Sequence, residues 1–191
     1  MKLLCKKLVV VCMLSIVFCG CDGVDELVNM LNCKFEVQSI ENFTFAGVLF
    51  DELDSLEDIS DADMAIIDEA IAAENAPVHF ILNILGTNPN DVIASVEKLQ
   101  WIMAVDGLDV AEGVVTKRFT IPAQETNILS LDVDANVMSI YNDSIVENVY
   151  SLYQDIINGH TSIATLKIKP TVNETEFPNY ITLQFPIKNE E

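Results

Sequence analysis

The sequence predicts a mainly β protein, an antiparallel β-sandwich of about seven strands with two inserted helices. Apolar and polar residues alternate with a period of two in segments spread over residues 33–191. Within that range, two segments instead have helical periodicity, one early and one late. Because the helices do not alternate regularly with the strands, an antiparallel arrangement is favoured over a parallel α/β sheet.

The first twenty residues have the pattern of a secretory signal peptide. A basic start is followed by an apolar stretch, residues 8–18, which is too short to span a bilayer as a helix. We therefore assign residues 1–20 to a lipoprotein signal peptide and residues 21–32 to a lipidated N-terminus and tether. Residues 33–191 then form the folded domain.

The lipid attachment site is predicted from the residues that end the signal peptide. Phe18, Cys19, Gly20 and Cys21 resemble a bacterial lipobox, in which a small residue precedes the cysteine that becomes lipidated. Phe18 and Cys19 depart from the commonest pattern, and the bulk of Phe18 makes Cys19 the weaker acceptor. Cys21 is the predicted lipidation site, with an ordinary cleaved signal peptide as the alternative.

The predicted tether has helical spacing. Val24, Leu27, Val28 and Leu31 stand at i, i+3, i+4 and i+7, which allows a short helix with one apolar face. That face could pack on the domain or lie near the bilayer, and the spacing does not decide between them. Cys33 follows and is expected to be a small core residue, with no cysteine partner for a disulfide or a metal cluster.

The first half of the domain begins with extended chain. Residues 33–40 alternate and residues 43–50 continue as extended chain. The acidic segment after them predicts a helix, because Ser60 or Asp61 can cap its first turn and Pro77 stops any continuation. The apolar face of this helix is formed by Met64, Ile67 and Ile71.

The middle of the domain predicts further strands. Residues 78–85 are apolar on both sides, as a central strand covered on both faces would be. Asp106 and Gly107 are a hairpin signal, and residues 108–122 give another pair of strands. The strand before the hairpin places one set of residues on a single face: Leu99, Trp101, Met103 and Val105.

The last part of the domain contains a strand, a helix and two more strands. Leu129, Leu131 and Val133 are predicted to face inward, so that Ser130, Asp132 and Asp134 face outward. Residues 162–169 and 180–188 are the final strands. The late helix has an apolar stripe and a C-terminal glycine: Ile145, Val149, Leu152, Ile156 and Gly159.

Charge and motif content exclude several functions. A net charge of −20 argues against nucleic-acid binding and against docking on anionic lipid through a basic patch. No P-loop, dinucleotide fingerprint or hydrolase elbow is present, so the protein is not expected to be an enzyme, and no cofactor is expected.

Metal binding is also not expected from sequence. His79 lies inside a hydrophobic strand and is read as a packed residue, while His160 is read as a loop residue, and neither has the spacing of a zinc site. Asp132, Asp134 and Asn136 begin like a calcium loop. Later positions of this segment do not match the calcium-loop pattern, so a strand with alternate residues facing water is the better interpretation.

One ordered set of motifs resembles the WHy (water stress and hypersensitive response) domain of the type 2 late embryogenesis abundant family. The resemblance is specific over residues 78–133 and extends over most of residues 33–188. The acidic helix and the lipobox depart from the family pattern. The motifs that carry the resemblance are Asn88–Pro89–Asn90, Leu99–Val105, Asp106–Gly107, Gly113, Ile121–Pro122–Ala123 and Leu129–Val133.

The resemblance implies a fibronectin-type-III-like sandwich, a non-enzymatic role and a link to desiccation or stress protection. Together with the lipobox, it predicts an envelope protein that is anchored to a membrane by its N-terminal lipid, on the periplasmic or surface side, and that binds or stabilises an envelope component. The alternative is an accessory component that captures an unknown protein or glycan partner in adhesion. Asn88, Pro89 and Asn90 form the candidate interaction loop, although an Asx-type turn explains the same residues.

Overall fold

The computed structural model describes residues 28–105, 107–140, 144–157, 164–172, 175–177 and 179–184. Several residues singled out from the sequence lie outside the described ones: Phe18, Cys19, Gly20, Cys21, Val24, Leu27, Asp106, Gly159 and His160. The side chain of Ile156 lies outside the description as well.

The chain is mainly β, as the sequence predicts. Two helices interrupt the strands, α1 (Asp61–Ala72) and α2 (Ile145–Ile157). Seven of the described strand segments are four residues or longer, which matches the predicted number, and four more have only two or three residues. The strands are β1 (Lys34–Phe45), β2 (Val48–Leu49), β3 (Pro77–Thr87), β4 (Ala94–Val96), β5 (Lys98–Val105), β6 (Leu108–Val115), β7 (Phe119–Ile121), β8 (Thr126–Asn136), β9 (Ala164–Val172), β10 (Thr175–Glu176) and β11 (Ile181–Gln184).

The strands form two main antiparallel sheets and one short ribbon. The first sheet has the order β2-β1-β3-β8, and the second has the order β10-β9-β5-β6 with β11 also pairing with β9. Strands β4 and β7 pair as the ribbon. One hydrophobic cluster contains inward residues from both sheets, so their apolar faces share a core, as expected for a sandwich.

Strand β3 is central in the first sheet, as predicted, with β1 on one side and β8 on the other. Its inward residues Val78, Phe80, Leu82 and Ile84 are buried. The prediction that both of its faces are covered is wrong, because the outward residues at positions 79, 81 and 85 are only half-buried. An antiparallel sheet can leave one face open to water, and β3 lies in such a sheet.

The second sheet is built on the hairpin of β5 and β6. Val105 pairs with Leu108 across the turn, where Gly107 has a φ of +78°, as the hairpin signal predicts. All four predicted inward residues of β5 are buried. Residues 108–122 also form two strands, but β6 pairs with β5 whereas β7 pairs with β4, so they are not partners.

Both predicted helices form. Helix α1 starts after Ser60, whose hydroxyl accepts a hydrogen bond from the backbone N–H of Asp63, and it buries Ile67. It ends at Ala72, before Pro77, and that proline instead begins β3. Helix α2 buries three residues of its predicted stripe, Ile145, Val149 and Leu152.

An aromatic cluster attaches α2 to the first sheet. The ring centroid of Phe43 on β1 is 4.9 Å from that of Tyr153 on α2 and 5.6 Å from that of Phe80 on β3. Phe50 joins the same cluster at 6.0 Å from Phe43. These rings are buried, and aromatic pairs at such distances stabilise a core beyond the area they bury.

Residues 28–32 are helical, as the tether spacing predicts, whereas Val24 and Leu27 of the predicted apolar face lie outside the described residues. Met30 is 2% exposed and belongs to the core, whereas Val28 and Leu31 are 47% and 37% exposed. Cys33 is buried as predicted, and desolvation raises the pKa of its thiol. A thiol with a raised pKa is a poor nucleophile, which fits a packing role.

Candidate functional site

The candidate interaction loop begins with a buried side chain. Asn88 follows directly after β3 and is 1% exposed. Its Nδ2 lies 2.9 Å from the carbonyl oxygen of Val92 and 3.0 Å from those of Ile121 and Pro122. Because an amide has only two N–H groups, these three carbonyls share them. The amide therefore joins the end of β3 to the last residue of β7 and to Pro122 after it.

The other end of the same amide closes a local turn. Asn88 Oδ1 accepts hydrogen bonds from the backbone N–H of Asn90 at 3.0 Å and from Asn90 Nδ2 at 2.7 Å. The bond to the backbone is that of an Asx turn, so this sequence prediction is confirmed. Pro89 between them is exposed and has no N–H to leave unpaired.

The loop is also bonded to two neighbouring segments. Asn90 Nδ2 donates to the carbonyl oxygen of Asn29 at 2.9 Å, which connects the loop to the helix at residues 28–32. Gln124 Nε2 donates to the carbonyl oxygen of Pro89 at 2.7 Å and to Asp91 Oδ1 at 3.1 Å. Sequence reasoning did not identify Asn29 or Gln124, because their bonds join residues 33 to 61 positions apart.

The surface that this loop presents to a partner therefore differs from the one that the Asn-Pro-Asn motif suggests. The polar atoms of the Asn88 side chain are used within the protein. Beyond it, Val92 and Ile93 are 52% and 49% exposed, close in sequence to exposed Pro89 and Asp91. We call residues 89–93 the loop-end surface. A binding role for this surface stays a prediction, and it would depend on apolar contacts more than on asparagine side chains.

A second group of side chains lies on the outward face of the first sheet. His79 on β3 pairs directly with Asp134 on β8, and Asp132 lies two residues further along on the same face. His79 Nδ1 is 3.0 Å from Asp134 Oδ1 and 3.4 Å from Asp132 Oδ1. The three residues could hold a metal ion, since their ligand atoms all lie within 4.8 Å of one another.

The sequence interpretation of these three residues was partly right. Asp132 and Asp134 face outward on a strand, as predicted, and are not part of a calcium loop. His79 is not packed in the core, because its side chain is 40% exposed. The signal that could have found the group is the register: once β3 and β8 pair, a histidine and two aspartates meet on one face.

A third feature is an open groove of about 250 Å³ on the second sheet, beside Tyr180, Gln100 and Glu112. Tyr180 is 42% exposed, and Lys169 Nζ lies 5.8 Å from the centre of its ring. Glu176 accepts hydrogen bonds from Lys169 at 2.9 Å and from Gln100 at 3.1 Å.

Next to this groove, Glu176 forms an ion pair with Lys169 at 2.9 Å. The hydrogen bond from Lys169 lowers the pKa of the Glu176 carboxyl, and the same bond raises the pKa of Lys169. The pair is therefore charged on both sides at neutral pH.

Comparisons with known proteins do not assign a family. No protein-family profile matches the chain, and no curated protein does. A crystal structure of a protein from Archaeoglobus fulgidus is similar at 16% identity and a TM-score of 0.34, covering 81% of this chain and 100% of that one. A solution structure of an Arabidopsis thaliana protein is similar at 12% identity and a TM-score of 0.35, covering 82% and 81%. Similarity at this level assigns no function.

In the part of the chain that the structure describes, no helix is both long and apolar enough to cross a bilayer.

Proposed function

We propose that this protein is a non-enzymatic, lipid-anchored component of the cell envelope, attached to a membrane through Cys21. Its WHy-like sandwich binds or stabilises an envelope component, and desiccation or stress protection is the role that the resemblance favours. The membrane is its first partner, through the lipid, and a protein or glycan of the envelope is the second.

One observation supports the binding part of this proposal most directly. The bond from Asn90 to Asn29 joins the loop-end surface to the C-terminal part of the predicted tether, at residues 28–32. Exposed Val92 and Ile93 lie on this loop, which Asn88 and Gln124 also bond. A loop that is ordered before binding loses less conformational entropy when it binds. The same end of the domain also presents exposed Val28 and Leu31.

The anchor is tested by labelling cells with radioactive palmitate. We expect the full chain to incorporate label and Cys21→Ala to lose it, because lipidation requires the cysteine thiol. Cys19→Ala is the matched control and should keep the label. Label that persists in Cys21→Ala would show that the anchor is assigned to the wrong residue, and absence of label in the unmodified chain would support an ordinary signal peptide.

The binding role is tested separately from the anchor. The lipidated protein serves as bait in a pull-down from its native envelope, with a Val92→Ser/Ile93→Ser variant as the control for the loop-end surface. A partner that is captured equally by both proteins would show that this surface is not the binding site.

A specific observation favours the second candidate, an accessory protein that captures a glycan. The groove beside Tyr180 combines an exposed aromatic ring with the amide of Gln100 and the carboxylate of Glu112. A sugar ring presents apolar C–H groups to an aromatic face and hydroxyl groups to such polar side chains, and ligand sites commonly combine apolar walls with a few polar groups.

If this groove binds a glycan, binding should depend on the aromatic ring of Tyr180 and not on its hydroxyl group. We expect Tyr180→Ala to reduce retention on immobilised envelope polysaccharide at least about tenfold, which corresponds to about 1.4 kcal/mol. Tyr180→Phe, which keeps the ring, should be retained like the unmodified protein. Equal retention of all three proteins would exclude this groove as a glycan site.

A further inference from the structure

We propose that His79, Asp132 and Asp134 form a binding site for a divalent transition-metal ion on the outward face of the first sheet. The site is independent of the lipid anchor and of the loop-end surface. It therefore goes beyond the proposed function and does not depend on it.

Two distances within the group match those around a bound ion, and all three ligand atoms lie within 4.8 Å of one another. Imidazole and carboxylate ligands lie about 2.0–2.2 Å from zinc, so ligand atoms around one ion are separated by about 3–3.5 Å in tetrahedral geometry. His79 Nδ1 is 3.0 Å and 3.4 Å from the two carboxylate oxygens nearest to it. An ion could thus bind with small changes of side-chain rotamer.

The donor set selects the kind of ion. One imidazole nitrogen and two carboxylate oxygens suit zinc, manganese or ferrous iron, which accept mixed nitrogen and oxygen ligands. Calcium prefers six to eight oxygen ligands and gains little from an imidazole. Two carboxylates with a neutral imidazole carry a charge of −2, which balances a dication.

The backbone beneath the group is well fixed. Strands β3 and β8 pair continuously from Pro77 with Asn136 to Thr87 with Thr126, without a bulge. Next to the group, Ser130 donates to Asn83 Oδ1 at 2.6 Å, and Asn83 Nδ2 donates to Glu41 Oε1 at 2.7 Å. These bonds link β1, β3 and β8, so the backbone that carries the three ligands is held in place by neighbouring strands.

The exposure of the carboxylates indicates how coordination would be completed. The side chains of Asp132 and Asp134 are 77% and 84% exposed. Three protein ligands leave at least one position of the ion open, which water or a group from a binding partner could fill.

The test is a calorimetric titration of the full chain, purified in detergent, with zinc chloride and, in separate runs, with calcium chloride. We expect one zinc ion per chain, bound at least about tenfold more tightly than calcium. His79→Gln, Asp132→Asn and Asp134→Asn should each weaken zinc binding by about tenfold or more, since each removes a ligand. Asp68→Asn on α1 is the matched control for the loss of one exposed acidic side chain and should bind zinc normally.

A spectroscopic measurement distinguishes coordination of zinc by His79 from non-specific attraction of zinc to an acidic surface. Zinc should shift the ¹⁵N resonance of His79 Nδ1. This resonance is assigned by its absence from the spectrum of His79→Gln. Thermal unfolding of each variant checks that it remains folded. The proposal is overturned if zinc leaves this resonance unchanged, if Asp68→Asn weakens binding as much as Asp134→Asn does, or if calcium binds as tightly as zinc.

Discussion

Replacing Asn88 with alanine should lower the free energy of unfolding by about 3–5 kcal/mol, because several buried polar groups lose their partner together. The variant removes the donor that serves the carbonyls of Val92, Ile121 and Pro122. It also removes the acceptor of the Asn90 backbone N–H. At 1% exposure, the site gives water little access to replace these bonds.

Urea denaturation followed by far-UV circular dichroism measures this loss. The matched control is Asn127→Ala: Asn127 Nδ2 donates to the carbonyl oxygen of Thr120 at 2.7 Å, but the residue is exposed. Water can replace that bond, so we expect a loss of about 1 kcal/mol or less. Equal losses for the two variants would show that Asn88 does not act as a buried connection between segments.

The same substitution has a consequence for the proposed binding surface. Without the Asx turn, residues 89–93 lose a hydrogen bond that fixes their backbone conformation. Amide hydrogen exchange should therefore increase in these residues and at residues 28–32. Asn127→Ala should leave exchange in both segments unchanged.

Replacing Gly113 with alanine should cost about 2–4 kcal/mol, because there is no room for a Cβ atom beside Trp101. The added atom would lie 2.4 Å from Cζ2 and 2.5 Å from Cε2 of the indole. Trp101 pairs with Gly113 across β5 and β6 and is 5% exposed, so its rigid ring has little freedom to move aside. Either the ring or the strand must shift.

A double variant tests this steric explanation. In a Trp101→Leu background the clash is absent, so adding Gly113→Ala should cost much less than it does in the unmodified protein. Glu112→Ala, at the neighbouring exposed position of β6, should change stability by no more than about 0.5 kcal/mol. If Gly113→Ala costs the same in both backgrounds, the cause lies in the backbone and not in the indole ring.

Local patterns predicted local structure well. The alternation in β5 and β8 identified which residues face the core, since the side chains of a strand alternate between its faces whatever it pairs with. The start of α1 followed from Ser60, because a cap forms within one turn of the chain. The Asx turn of Asn88 and Asn90 was predictable for the same reason, as its partners are two residues apart.

Predictions that depended on surroundings were less successful. The spacing of Val28 and Leu31 left open whether their face packs on the domain, and in the structure the domain buries Met30 while both of these residues stay exposed. Likewise, the apolar run of β3 did not show that its outward face stays partly open. A periodic pattern gives the faces of an element, and only its neighbours determine which face is covered.

By itself, the sequence determined the class of fold, the positions of both helices and the polar or apolar character of most strand faces. Only the tertiary structure decided that β6 and β7 join different strands, that Asn88 bonds to carbonyls 33 and 34 residues away, and that His79 meets Asp132 and Asp134. The physical reason is strand register. It is set by pairing between distant segments, and a shift of one residue would place His79 on the opposite face from both aspartates.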